Sequence, residues 1–142
     1  MLYTITGSNK KRRALADLAV QFAIKRLSIP KNAIININLR RAKLDEDAYG
    51  YCDYQGVYYR RHRVDIEIYA PLSESEFIST LFHELKHAEQ FCTGSLSEDM
   101  VTWKGQDFSQ SNAYRSLPWE ISARNFEYRL LHRWYDLYGE AK

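Results

Sequence analysis

The chain predicts an α+β fold, with a small, mostly antiparallel sheet packed on helices. Three observations carry this. Segments of strict apolar–polar alternation recur in the first half beside one helical stretch, and helical periodicity dominates after residue 73. No internal repeat, low-complexity tract or Pro/Gly-rich linker divides residues 1–142. A chain of 142 residues, 45% hydrophobic and 27% charged, supports one sizeable core and reads as a single domain.

The elements follow in order. Leu2 to Thr6 is a short strand ending at Gly7. Ser8 or Asn9 can cap the next helix, whose Leu15, Leu18 and Phe22 recur at helical spacing, with Pro30 beyond its end. In the stretch 33–40, Ile35, Ile37 and Leu39 alternate with Asn36, Asn38 and Arg40. Residues 48–54 and 57–70 form a second alternating pair, read as a hairpin turning at Gln55-Gly56. In its second strand Val64, Ile66 and Ile68 face away from Asp65, Glu67 and Tyr69. Ser73 and Glu76 make a capping box for a helix that runs through Phe77, Ile78, Leu81, Leu85 and Ala88, with Gly94 as its stop. A long connection follows, and a connection of that length predicts structure of its own: a short strand or hairpin near Met100 to Trp103, turning at Lys104-Gly105. Pro118 suits the first turn of a last helix striped by Trp119, Ala123, Phe126, Leu130, Trp134 and Leu137.

Bulk properties exclude several classes. The composition is not that of a disordered chain, and no stretch near twenty apolar residues predicts a membrane span. A net charge of +2 is too small an excess to argue for nucleic acid. Cys52 and Cys92 form no CxxC pair and read as free thiols in a reducing, cytoplasmic setting.

The chemistry concentrates in "LFHELKHAEQF", Leu81 to Phe91. His83 and His87 lie four apart, so both imidazoles leave one helix face and can hold one Zn²⁺ at about 2.0–2.1 Å. Glu84 is turned about 100° from His83. It is placed to take a proton from a metal-held water rather than to ligate. A chance match on a core helix is the alternative, but two buried imidazoles would then need other partners. A catalytic zinc needs a third protein ligand. Thr93 stands where one metalloprotease class needs histidine, and Gln90 where it needs glycine. Glu89 points to the other side of the helix, Glu98 lies in a loop, and Glu127 and Glu140 lie further along the last helix or at its end. Glu120 is the best candidate: it sits in a first helical turn, where the macrodipole favours an ionised carboxylate. The commoner use of such a residue is a solvated helix-end charge.

Together, "HELKH", "WKG" and "YRSLPWEISA" resemble the small phage- and prophage-type metallopeptidases of the gluzincin kind, related to the minigluzincins. The resemblance covers roughly residues 73–129. It implies a zincin-like fold, zinc held by His83, His87 and Glu120, Glu84 as general base, and Ala123 as a small residue allowing close helix approach. Arg124 departs from the larger thermolysin-type pattern, which carries an aspartate there to orient a zinc histidine. Glu127, on the same face as Glu120, is the residue able to take that role.

The expected function is therefore zinc-dependent hydrolysis of a peptide or protein substrate. The substrate is expected to lie extended along Val64 to Tyr69 by edge-strand addition. Tyr114, Tyr128 and His132 are candidate oxyanion donors. Asp65 and Glu67, if they edge the cleft, would favour basic side chains; a solvated strand face is the equal alternative. Two alternatives compete. Lys10 to Arg13, Arg40-Arg41 and Arg60 to Arg63 could converge into a nucleic-acid patch, as in SprT-like proteases, although solvated charges are the commoner reading. A catalytically silent zinc-binding structural or regulatory module, such as a phage assembly component, is the other; the intact Glu84 argues against it.

Overall fold

A computed structural model describes residues 1–43, 48–111 and 113–139. β1 (Leu2–Gly7) ends where the backbone turns at Gly7, with φ +87°. A Cβ added there would lie 2.2 Å from the Leu39 carbonyl oxygen, so only glycine fits. Of the two candidate caps, Asn9 serves: its side chain accepts from the Arg12 N–H at 2.8 Å and opens α1 (Lys10–Ile24). α1 buries Ala16, Ala19, Val20, Phe22 and Ala23, while Leu18 faces outward. The three alanines let the helix lie close on its neighbours, which turns the leucine stripe partly out of the core.

The sheet order is β1-β2-β4-β3, with β2 (Ile34–Arg40), β3 (Gly50–Tyr58) and β4 (Arg61–Tyr69). β1 pairs parallel with β2, β2 pairs parallel with β4, and only β3 pairs antiparallel. The α+β class holds, but the expected mostly antiparallel sheet does not. Alternation shows which face of a strand is apolar and is silent on its neighbours. Here α1 provides the crossover from β1 to β2, and β3 returns along the outside of β4, so that β4 enters beside β2. The hairpin turn also differs from expectation. Gln55-Gly56 lies within β3 as a bulge, and the reversal comes at Tyr59-Arg60, with φ 52° and 65°.

Ile35, Ile37, Leu39, Val64, Ile66 and Ile68 form the buried face of the sheet, in one cluster with residues of all three helices. Asn36, Asn38, Asp53 and Asp65 lie on the opposite, open face. α2 (Glu74–Cys92) starts at Ser73, whose hydroxyl accepts from the Glu76 N–H at 3.3 Å. The Glu76 carboxylate reaches that hydroxyl at 2.9 Å, not the Ser73 backbone N–H that a full capping box would use. Phe77, Ile78, Leu81, Phe82, Leu85 and Ala88 are fully buried on α2. Each large side chain among them stabilises the fold by about 1.5–3 kcal/mol. Gly94, at φ +80°, follows the helix end as expected.

Of the short strand or hairpin expected in the long connection, the hairpin is present as β5 (Thr102–Trp103) and β6 (Gln106–Asp107), turning at Lys104-Gly105. A bridge from Leu96 to Trp103 ties it to the end of α2, above a small cluster of Phe91, Leu96 and Trp119. A single 3-10 turn, Tyr114–Ser116, leads into α3 (Pro118–Tyr138), which packs on α2. Its buried stripe runs from Trp119 to Trp134 and stops a turn early, because Leu137 is 65% exposed. No described helix is long and apolar enough to cross a membrane.

Candidate metal centre

α2 and α3 meet where the sequence expected chemistry. His83 and His87 project from the face of α2 that α3 covers, and Glu120 comes back to them from the first turn of α3. Ala123, fully buried one turn later, adds only a methyl group there. His83 Nε2 lies 3.1 Å from His87 Nε2 and 3.0 Å from Glu120 Oε1. His87 Nε2 lies 3.1 Å from Glu120 Oε2. These three residues form a group that could hold a metal ion.

The hydrogen bonds behind the imidazoles decide what the ring nitrogens offer. His87 Nδ1 is 2.8 Å from Gln90 Oε1. The Gln90 amide cannot be turned over, because its nitrogen donates to the Trp119 carbonyl at 3.1 Å. His87 Nδ1 therefore carries the hydrogen, and its Nε2 is free to offer a lone pair. His83 Nδ1 is 2.9 Å from Glu127 Oε1, a carboxylate that only accepts, so the same tautomer follows. The other oxygen of Glu127 accepts from the Ser79 hydroxyl. Two imidazole lone pairs and a carboxylate thus point at one another. Glu120 is only 2% exposed, and its Oε2 has no hydrogen bond despite the nearby nitrogen.

Such a triangle of acceptors is repulsive unless a cation or protons lie among them. Bonds of about 2.0–2.2 Å at tetrahedral angles place ligand atoms roughly 3.3–3.5 Å apart, close to the spacing here. The donor set fits a small divalent cation. With protein groups alone, protons supply the positive charge. Burial pulls the His83 pKa down, but its bonds to Glu120 and Glu127 and the charge of Glu84 outweigh that and hold it at about 10. His87 is likewise raised, burial notwithstanding, by Glu120 and Glu84. Glu120 is held at about 2, burial being overcome by its bonds to the two histidines.

Glu84 is buried at the floor of the cleft. Burial raises its pKa, the histidines pull it back, and Glu120 and Glu127 add to the rise. The first residue of β3 passes directly over it. A Cβ on Gly50 would lie 2.8 Å from Thr80 Cγ2 and 3.0 Å from Glu84 Cγ. Glycine at this position lets the strand approach the carboxylate.

The cleft, about 790 Å³, lies between the start of β3, the histidine face of α2, and the wall formed by Tyr114, Arg115 and Arg124. Of the three candidate oxyanion donors, Tyr114 lines it. Burial and the charge of Glu120 keep its phenol protonated well above the usual range. Tyr128 and His132 pack edge to face along α3 and do not line it. Glu127 orients His83, the role its position on α3 allowed. Glu89 pairs with Lys86 at 2.5 Å and accepts from the Ser28 N–H, Glu98 lies near the bulge at Gly56, and Glu140 falls outside the described residues. Cys52 and Cys92 are free thiols.

One expectation is corrected, and two of the weighed alternatives are decided. β4 is flanked by β2 and β3, so the stretch from Val64 to Tyr69 has no free edge; the edge beside the site belongs to β3. Asp65 and Glu67 lie on the open face of the sheet with Asn36 and Asn38, away from the histidines. The basic clusters do not converge. Lys10 to Arg13 and Arg40-Arg41 lie at the end of the sheet where β1 and β2 finish, whereas Arg63 pairs with Ile34 at the other end.

Sequence reasoning missed Gln90 and Gly50. The only signal for Gln90 was an amide one turn after His87; for Gly50 there was none. Comparison with protein-family models, curated proteins and solved structures finds no match to this chain.

Proposed function

We propose that the chain is a zinc-dependent metallopeptidase of zincin-like architecture, with His83, His87 and Glu120 as zinc ligands and Glu84 as general base. The observation that carries this reading is the meeting of three lone-pair donors from two helices beside a buried carboxylate, at the floor of an open cleft. Two imidazoles and one carboxylate suit zinc in a catalytic setting, whereas a structural zinc is usually closed by four protein ligands. Bound there, zinc would acidify an attacking water and polarise the scissile carbonyl.

Glu84 accepts the proton of that water and passes it to the leaving amine. Its raised pKa brings it toward the range where a base both takes and returns a proton. Tyr114, still protonated at neutral pH, is the donor for the developing oxyanion. The outer edge of β3 has no partner strand among the described residues, so its backbone can pair with an extended peptide. Glu127 and Gln90 hold the imidazoles in the ligating tautomer throughout.

The test is cleavage of unfolded protein and a mixed peptide library by the zinc-loaded chain beside its Glu84→Gln variant. The variant should keep one zinc and lose cleavage by about 10²–10⁴-fold. Intact substrates with the zinc-loaded wild type, or undiminished cleavage by Glu84→Gln, would overturn the reading.

A further inference from the structure

Asp65 and Glu67 do not edge the cleft, and the charge left free there is of the other sign. Its carboxylates are already engaged: Glu120 with both histidines, Glu127 with His83 and Ser79, and Glu84 buried beneath them. Two guanidinium groups share the same wall, Arg115 in the 3-10 turn and Arg124 on α3. Arg124 lies four residues after Glu120 and three before Glu127, so helical spacing puts it on the ligand-bearing face. It is half-buried, and one of its terminal nitrogens donates to the Arg115 carbonyl, which anchors the side chain at the mouth. Among the described residues no carboxylate lies within 4.0 Å of either guanidinium. A half-buried cation with spare N–H donors beside a reaction centre is poised for an anion carried by the substrate.

We infer that Arg124, assisted by Arg115, selects peptides bearing a carboxylate close to the scissile bond. This rests on the peptidase reading and adds a substrate class to it. The carboxylate can be an acidic side chain or a free chain end, since both offer the same two oxygens to an arginine fork. The position of Arg124 becomes intelligible in this light. Glu127 orients His83 from one turn further along, which frees position 124 to face the substrate instead.

The test uses the zinc-loaded protein and quenched-fluorescent peptides of one sequence. They carry Glu, Gln or Lys beside the cleaved bond, each with a free or an amidated C-terminus. Carboxylate-bearing members should exceed their amide counterparts in kcat/KM by roughly tenfold or more, as expected for a charge-assisted hydrogen bond. Dependence on Glu against Gln would assign the side chain, and dependence on amidation the chain end. Arg124→Gln should close the gap, and Arg124→Glu should turn the preference toward Lys. Raising NaCl should narrow the gap in the unaltered protein, a measurement independent of how the variants fold. Cleavage without regard to charge, or a gap that survives in both Arg124→Gln and Arg115→Gln, would overturn the inference and leave the peptidase reading standing. Failure to cleave any peptide would overturn both.

Discussion

Gln90 does for His87 what Glu127 does for His83, and neither touches the metal position. Each accepts from an Nδ1–H and so leaves an Nε2 lone pair pointing inward. Gln90→Ala and Glu127→Ala should each weaken zinc binding by roughly 10–100-fold, read by competition with a chromogenic chelator. Gly50→Ala should behave differently. Its methyl would press on Thr80 and Glu84, so cleavage should fall while zinc affinity stays near that of the wild type. The histidine pair and Glu84 were legible in the sequence because a single helix fixes their relative positions. Glu120 was legible mainly by elimination, and Glu127 only as a face-sharing neighbour on α3. Gln90 and Gly50 were not legible: one depends on a carbonyl delivered by α3, the other on how closely β3 passes over α2.

At the scale of elements, α2 links core and chemistry, since Leu81 and Leu85 are fully buried in the main cluster two residues either side of His83. Leu81→Ala should cost about 2–5 kcal/mol in a denaturant melt. Ligand geometry should loosen with it, because the same helix turn carries His83. Helix starts were readable from Asn9, Ser73 and Pro118, whose capping chemistry is local. Strand neighbours were not, because pairing joins residues far apart in sequence and several orders bury the same apolar faces. The bulge at Gly56 shows the same limit. A glycine with positive φ serves a hairpin turn and a bulge equally well, and only the partner strand decides between them.

For the whole molecule, protons and the proposed metal would compete for the same three side chains. His83 has its folded-state pKa raised from 6.5 to about 10. Its contribution to the metal-free protein is therefore fully present below pH 6.5 and lost as pH rises through about 10. Chemical denaturation of the chelated protein should show stability falling across that window, and zinc affinity should rise across it as the imidazoles give up protons. The main hydrophobic cluster includes none of the candidate ligands. Chelation should thus leave a folded protein, and zinc at a hundredfold excess over its Kd should add about 2.7 kcal/mol. Unfolding on chelation would instead favour the silent structural module.

Glu120 stands 37 residues beyond His83. A chain still on the ribosome carries the imidazole pair long before the carboxylate that completes the triangle. Under the proposed peptidase reading the centre cannot be assembled until α3 has emerged and docked, and a nascent chain would then have no means of cutting itself or its neighbours.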